Sequence, residues 1–323
     1  MRTLGKLGLA CLTAIAAAFA PVQAQEYPVR PVKIVSPAGA GGPADLIARL
    51  VAQNFTDQLK FPFVVDNKPG GGGDIGADAV AKSRPDGYTL LVSHSAPFAY
   101  NLHLYGKQPF DAAKDFVPVA QIAQAPMMLM VRKDLPVNSL ADLVQLAKAK
   151  PGTLNFASAG NGLLPHIALE MLKQQTGMNV VHVPYKSAPA AMLAVMAGES
   201  DAVFDTLATL PNVKAGKLKA IAVTSSARSP LVPDLPTIKE QGLPDFEVLP
   251  WYGVFAPAGT DPAILTRLMA AAETMLARPE VRAGLTSIGF EPGARKGADF
   301  GSFIASEHKR WTKVIRESGA TVR

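Results

Sequence analysis

The sequence has one cysteine, Cys11, among 323 residues, and that residue lies inside an apolar run near the N-terminus. If cleavage removes this run, the remaining chain has no thiol. Disulfide bonds, thiolate metal sites and cysteine nucleophiles are then excluded together. Such a chain depends on its hydrophobic core for stability, and its length suits one large domain or two medium-sized domains.

Long apolar segments are also lacking. The N-terminal run is too short to span a bilayer, and no later stretch is long and apolar enough for a transmembrane helix. Arg2 and Lys6 precede the apolar residues 7–20, and Val22-Gln23-Ala24 supplies the small residues that a signal peptidase requires. We expect residues 1–24 to be a cleaved signal peptide and the mature chain to be periplasmic. A buried N-terminal helix is the alternative. The twin-arginine route is not expected, because no second arginine stands beside Arg2.

Strong charge of either sign is absent too. The chain carries 32 basic and 26 acidic residues, and loss of Arg2 and Lys6 would leave a net charge of about +4. Since these charges are scattered, with no basic run and no interleaved aromatic residues, nucleic acid is not an expected partner. A mildly positive field favours small anions.

Short β-branched runs alternate with amphipathic segments, which is typical of parallel sheets with helices on both faces. A proline- and glycine-containing stretch at 231–250 predicts a connection, and helices are expected from 262 onward. The predicted strands form two series, at 32–35, 63–65 and 88–92, then at 154–157, 180–183, 202–204 and 220–223. A further strand at 126–131 leads out of the first lobe, and another at 251–255 follows the connection. The pattern predicts an α/β fold with two lobes.

Two glycine loops occupy equivalent places in the two series. Gly39-Ala40-Gly41 and Gly160-Asn161-Gly162 each lie between a strand and a helix, 121 residues apart. Pro43 and Pro165 fall near the two helix starts, where proline is well tolerated. An open helix N-terminus after a glycine loop presents unpaired N–H groups and the positive end of the helix dipole to an anion. The repeat predicts that one carboxylate is held from both sides.

Two enzyme interpretations compete with anion binding. The first loop matches the dinucleotide pattern Gly39-x-Gly41-x-x-Ala44, with Asp66 after the next strand, but nicotinamide cofactors are scarce outside the cytoplasm. A hydrolase could draw on Ser93, His94, Ser95, Ser158, His166 and His182. None of these serines lies in a Gly-x-Ser-x-Gly elbow, and no His/Asp/Glu cluster has metal-ligand spacing. We therefore expect no catalytic residue, no metal and no cofactor.

Two aspartates and one glycine run have both structural and functional interpretations. Asp45 lies in the first turn of a helix, where a carboxylate caps free N–H groups, and we expect this structural role. Asp205 follows a strand, and it either contacts ligand, takes part in lobe closure or caps its loop. Residues 70–73 are four consecutive glycines, which form a turn or bring the backbone close to a ligand.

The chain resembles a known family over essentially its whole mature length. Matching segments begin with Tyr27-Pro28-x-Arg30-Pro31-Val32 and continue through Asp66-Asn67-Lys68-Pro69-Gly70, Arg84-Pro85-Asp86-Gly87-Tyr88, Ala157-Ser158-Ala159-Gly160-Asn161-Gly162, His182-Val183-Pro184-Tyr185-Lys186 and Ala256-Pro257-Ala258-Gly259-Thr260. In this order they resemble the substrate-binding receptors of tripartite tricarboxylate transporters, also called Bordetella uptake gene proteins.

The resemblance implies two Rossmann-like lobes joined by a hinge, as in type II-like periplasmic binding proteins, with lobe 1 at 25–125 plus 250–323 and lobe 2 at 126–249. It implies a monomeric, non-enzymatic Venus flytrap that closes over a small organic anion and delivers it to integral-membrane transporter subunits. The alternatives to a transport receptor are a ligand-sensing receptor for a membrane kinase and a secreted oxidoreductase or hydrolase. The expected ligand-binding residues are Ala38, Gly39, Ala40, Gly41, Gly42, Ala44, Asp45, Ser93, Ser95, Ser158, Ala159, Gly160, Asn161, Gly162, Leu163, His166, Tyr185, Lys186 and Asp205.

The loops depart from the family pattern. Ala38 replaces the usual phenylalanine and Ala40 a proline, whereas Ala44 and Leu163 replace hydroxyl residues. A buried polar ligand group left without a donor costs roughly 1–3 kcal/mol. We therefore expect a larger or more apolar ligand than citrate or aspartate, such as an aromatic or medium-chain carboxylate.

Overall fold

The computed structural model describes residues 27–318. The predicted signal peptide and Cys11 lie outside these residues. Within them, none of the helices combines the length and the apolarity that crossing a bilayer requires.

The strands of the described chain fall close to the predicted segments. They are β1 (Val32–Ser36), β2 (Phe63–Asn67), β3 (Thr89–His94), β4 (Phe116–Gln124), β5 (Met127–Arg132), β6 (Asn155–Ser158), β7 (Val181–Pro184), β8 (Ala202–Thr206), β9 (Leu218–Val223), β10 (Trp251–Pro257) and β11 (Glu291–Pro292). Two strands were not predicted. Pro118 and two glutamines interrupt the apolar pattern of β4, and the two-residue β11 lies in a segment that was expected to be helical.

Helices alternate with these strands and fill the C-terminal part of the chain, as the sequence predicted. They are α1 (Pro43–Leu59), α2 (Asp74–Ala81), α3 (Ala96–Ala99), α4 (Asn101–Tyr105), α5 (Leu140–Ala149), α6 (Leu164–Thr176), α7 (Ala188–Ala197), α8 (Leu210–Lys214), α9 (Pro262–Ala277), α10 (Pro279–Ser287) and α11 (Gly297–Ser318).

Two mixed sheets organise the molecule. The first has the strand order β11-β4-β10-β3-β1-β2, and the second has the order β7-β6-β8-β5-β9. Strands β1, β2 and β3 are mutually parallel, as are β6, β7 and β8. Each sheet therefore contains the predicted βα series, and the α/β class with two sheet-based lobes is confirmed.

Two crossings join the sheets. The chain leaves the first sheet at the end of β4 and enters the second as β5 only two residues later. It returns through residues 224–250, which contain no helix or longer strand, to β10. The lobe boundaries, 25–125 plus 250–323 for lobe 1 and 126–249 for lobe 2, stay a prediction. Helix α11 shows why the chain does not divide simply into two lobes. Its Phe300 packs with first-sheet side chains, whereas its Trp311 packs with those of the second sheet.

Candidate ligand-binding site

The carboxyl edges of the two sheets meet at the first crossing. Strands β3 and β4 are both antiparallel to β10, so they run parallel to each other and end at the same edge. Strand β5 is antiparallel to β8, and its first residue, Met127, pairs with Thr206 at the end of β8. Because only two residues separate β4 from β5, the carboxyl edges of both βα series lie on either side of this crossing. In α/β proteins, ligands bind at such edges.

The two glycine loops lie at these edges and have the same backbone form. Helix α1 begins at Pro43 and α6 at Leu164, 121 residues later. The residue before each helix has nearly identical angles, φ −75° and ψ 164° at Gly42, and φ −75° and ψ 158° at Leu163. Within residues 27–318, no side chain caps either helix start. The internal similarity of the sequence is therefore a similarity of conformation.

The last glycine of each loop is tied to the helix in the same way. Gly41 and Gly162 have φ of 80° and 73°, a region that glycine adopts without strain. The N–H of Gly41 donates to Asp45 Oδ2 at 2.8 Å, and the N–H of Gly162 donates to His166 Nδ1 at 3.0 Å. Asp45 and His166 are thus equivalent positions that serve the same local purpose.

Asp45 is fully engaged by the protein. Besides Gly41, its Oδ2 accepts from Arg49 Nε at 2.9 Å, and its Oδ1 accepts from the Asn67 amide at 2.8 Å. Burial raises the pKa of Asp45, but the hydrogen bonds from Arg49, Gly41 and Asn67 outweigh it and hold the pKa below its usual value. Asn67 also donates to the carbonyl of Ala38, so this network fixes both ends of the first loop.

The second loop is fixed by two imidazoles. Ser158 Oγ lies 2.6 Å from His182 Nε2 and accepts the N–H of Gly160 at 3.2 Å. The rings of His182 and His166 are stacked, with centroids 4.0 Å apart and planes 9° from parallel. Burial, followed by the fields of His166 and Lys173, lowers the pKa of His182 to about 4. Burial likewise lowers the pKa of His166. The pair is therefore neutral at neutral pH.

Both helix starts retain unused donors. Among the described residues, no protein group accepts from the N–H of Ala44 or of Leu164, in the first turns of α1 and α6. A Cβ added at Gly39 or Gly41 would meet no atom within 4 Å, so open space lies beside the first loop. Leu163 is 43 % exposed and brings an apolar side chain beside the second loop. The arrangement offers backbone donors to an anion and an apolar surface to the remainder of a ligand.

Four other residues predicted to bind ligand differ from one another in exposure and contacts: Ser93, Ser95, Tyr185 and Lys186. Ser93 and Ser95 are buried, and Ser93 donates to the carbonyl of His94. The hydroxyl of Tyr185 lies 3.3 Å from Ser200 Oγ, whereas Lys186 is exposed.

Asp205 ends up beside the crossing. It pairs in register with Met128, the second residue of β5, and its Oδ1 accepts the N–H of Thr206 at 2.7 Å. Burial raises the pKa of Asp205 to about 6. This carboxyl is partly desolvated and has little compensation from the protein.

The glycine run is packed rather than free. A Cβ at Gly72 would lie 3.1 Å from Asn101 Nδ2, and one at Gly73 would lie 3.0 Å from His94 Nε2. Gly72 and Gly73 have φ of 62° and 100°. Close approach of neighbouring side chains explains these two glycines.

Among the described residues, the candidate groups for a hydrolase or a dinucleotide site are buried or engaged by other protein groups. Ser158 touches His182 but is only 1 % exposed, and in the described chain no carboxylate lies within hydrogen-bonding distance of His182. Asp66 forms ion pairs with Lys33 and Lys68 at 3.7 Å. Residues 27–318 contain no group of three His, Cys, Asp or Glu side chains that could hold a metal ion.

Sequence reasoning assigned no loop-supporting role to Asn67 or His182, which hold the loops from neighbouring strands. Ser36, the last residue of β1, is fully buried, and its hydroxyl has no partner among the described residues. Asn67 could have been found from its place at the end of the strand beside β1. No local pattern marks Ser36.

Comparison with protein families gives a match to the model described as the tripartite tricarboxylate transporter family receptor, over residues 47–320. Protein BugT of Bordetella pertussis is 37% identical over 324 residues, which cover 100% of this chain and 99% of BugT.

Solved structures of similar proteins have the same fold. Rpa4515 of R. palustris, solved with adipate, is 35% identical with a TM-score of 0.81, covering 92% of this chain and 100% of that one. MatC of Rhodopseudomonas palustris, solved with bound malate, is 33% identical with a TM-score of 0.76, covering 90% and 100%. The periplasmic binding protein BugD is 32% identical with a TM-score of 0.76, covering 92% and 100%.

Proposed function

Because this chain belongs to the tripartite tricarboxylate transporter receptor family, a family of periplasmic carboxylate-binding proteins, we propose that it captures a small organic carboxylate between its two glycine loops and delivers it to a membrane transporter. The signal-peptide pattern of residues 1–24 supports a periplasmic location. The protein acts as a monomer and leaves its ligand chemically unchanged.

The conformational match of the two loops is the observation that carries this proposal. Each loop ends in a helix start whose first-turn N–H, at Ala44 or Leu164, has no acceptor within the described protein. Unused N–H groups at the positive end of a helix dipole stabilise an anion, typically by 0.3–1 kcal/mol per helix end at exposed sites and more where water is excluded. Two such ends on adjoining edges hold a carboxylate more tightly than one.

The side chains around the loops favour a ligand with an apolar part. Ala44 is 2 % exposed and supplies no hydroxyl, and Leu163 exposes an apolar side chain where a hydroxyl residue is usual in the family. MatC was solved with malate and Rpa4515 with adipate, so receptors of this family differ in the length and polarity of their ligands. For this chain we propose a medium-chain or aromatic carboxylate, closer to adipate than to malate.

Calorimetric titration of the purified mature protein with adipate, benzoate and malate tests the ligand class. We expect adipate or benzoate to bind at least ten-fold more tightly than malate, and mass spectrometry to recover the ligand unchanged. Tighter binding of malate would contradict the apolar ligand class, and turnover of any of the three would contradict a binding function.

Gly39→Val tests the location of the site. A Cβ at Gly39 meets no protein atom, so the variant should keep the melting temperature of the ligand-free protein. Its side chain would enter the space proposed for the ligand, and affinity for the best ligand should fall at least ten-fold. Gly284→Ala, at an equally open position on α10, is the matched control and should bind normally. Unchanged affinity in Gly39→Val would move the site away from the first loop.

A further inference from the structure

The second loop is held at both ends by one stacked pair of imidazoles. At its start, Ser158 Oγ contacts His182 Nε2, and at its end the N–H of Gly162 donates to His166 Nδ1. The two rings lie face to face with centroids 4.0 Å apart. The loop conformation therefore depends on two side chains that titrate, one from β7 and one from α6.

The bond from Gly162 determines which form of His166 fits. A backbone N–H can only donate, so Nδ1 must be the unprotonated nitrogen and Nε2 must carry the hydrogen of a neutral ring. Protonation of Nδ1 would place two donors 3.0 Å apart and break this bond. His182 is less constrained, because a protonated Nε2 could donate to Ser158 Oγ while the serine hydroxyl turns to the carbonyl of Gly160, 3.2 Å away.

The surrounding charges do not keep the pair ionised. Glu170 Oε1 lies 3.8 Å from His166 Nε2, but Lys173 binds the same carboxylate at 2.9 Å and opposes its effect. Strand β6, the loop residues 158–163 and the rest of β7 add no other charged side chain. Burial is the largest influence on both rings and lowers the pKa of each. Stacking at 4.0 Å further disfavours two simultaneous charges.

The first loop has no comparable sensitivity to pH. Its equivalent of His166 is Asp45, whose carboxylate accepts from Gly41, Arg49 and Asn67. These bonds hold the pKa of Asp45 below its usual range, although burial opposes them. Acidification from pH 7.5 to pH 5 should therefore leave the first loop unchanged and act on the second alone.

We propose that His166 and His182 are positioning residues that hold the second loop in its anion-binding conformation as a neutral pair, and that protonation of His166 releases the loop. The consequence for affinity rests on the proposed function, since it assumes that this loop binds a carboxylate. The effect of protonation on the conformation of the ligand-free loop does not rest on the proposed function.

NMR of the ligand-free protein labelled with ¹⁵N tests the positioning role directly. At pH 7.5 the ring nitrogens of His166 should show the tautomer with hydrogen on Nε2. On acidification the amide resonances of Gly162 and Gly160 should shift together with the His166 ring, whereas that of Gly41 should stay constant down to pH 5. Finding hydrogen on Nδ1 of His166, or a shift of Gly162 no larger than that of Gly41, would overturn the proposal.

Two substitutions extend the test to binding, with adipate as the probe. His166→Asn keeps an acceptor near the position of Nδ1 but cannot be protonated, and His166→Leu removes the acceptor. At pH 7.5 we expect His166→Asn to bind within about three-fold of the wild type and His166→Leu to bind at least ten-fold more weakly. Between pH 7.5 and pH 4.5 the wild type should lose at least five-fold more affinity than His166→Asn. The protonation of adipate itself affects both proteins equally, so the difference between them reports on His166.

The two proposals fail in different ways. Equal pH dependence in the wild type and His166→Asn would overturn the role of the histidine pair while leaving carboxylate binding intact. Absence of adipate binding at any pH would argue against the proposed ligand class, and the NMR titration would still decide the positioning role. If His166→Leu does not fold, the wild-type titration and His166→Asn remain sufficient.

Discussion

At the scale of single residues, Asp205 is the least compensated charge near the site. Its carboxyl accepts one hydrogen bond from the described protein, from the N–H of the next residue, Thr206. Burial raises its pKa to about 6, from 3.8 for an ordinary aspartate.

Asp205→Asn should make stability less dependent on pH. Between about pH 4 and pH 6 the folded protein binds more protons at Asp205 than the unfolded chain does, so this residue lowers stability as pH rises, and the loss is complete above pH 6. The variant should gain about 1–2 kcal/mol in free energy of unfolding at pH 7.5 and little at pH 4. Urea denaturation at both pH values measures this, with the exposed Asp234→Asn as control. An equal gain at both values would contradict it.

At the scale of elements, the start of α1 is held by a side-chain network instead of a conventional cap. Asp45 is 1 % exposed and accepts from a loop N–H, from Arg49 on the next turn and from Asn67 on β2. Helix α9 begins differently, since its N-cap Asp261 is exposed and accepts a single hydrogen bond from the described chain, donated by the N–H of Ala263. Asp261 precedes its helix and is exposed, whereas Asp45 is the third residue of its helix and is buried.

Asp45→Ala should therefore cost more stability than Asp261→Ala. Loss of an exposed N-cap typically costs about 1 kcal/mol. Loss of Asp45 leaves the N–H of Gly41 without its acceptor, removes one of the two acceptors of the Asn67 amide and leaves Arg49 without its ion pair. For these losses together we expect about 2–4 kcal/mol. Urea midpoints at constant m-value measure both effects. Similar losses for the two variants would show that the network adds nothing to an ordinary cap.

At the scale of the whole molecule, α11 connects the two cores. Phe300 and Ile304 belong to the cluster around Trp251 on the first sheet. About two and three turns after Ile304, Trp311 and Ile315 belong to the core of the second sheet. Because one continuous helix is buried in both cores, we expect the unfolding of one sheet to destabilise the other.

Calorimetry should show one cooperative unfolding transition in the wild type. Trp311→Ala should lower the stability of the second core by about 3–5 kcal/mol and separate the transition into two. Lys313→Ala, on the exposed side of the same helix, is the control and should leave a single transition. Two transitions in the wild type would show that the helix does not couple the sheets.

Local sequence patterns were sufficient for most elements. The β-branched runs predicted the strands of both βα series because alternation of side chains and strand length are local properties. Strand β4 escaped this reasoning, since polar residues interrupt its pattern and its pairing partner β10 lies more than 120 residues away in sequence. Gln121, for instance, is fully buried, and its side chain accepts from Arg295.

The two glycine loops, their spacing of 121 residues and the helix starts that follow them could be predicted from local sequence, because turn and capping preferences depend on neighbouring residues. The contacts that hold each loop depend on how the strands pair. The pairing of β1 with β2 brings Asn67 to Asp45, and the pairing of β6 with β7 brings His182 to Ser158 and His166. Parallel strands join residues that are distant in sequence, so no local pattern could reveal that one loop is held by charges and the other by a neutral histidine pair.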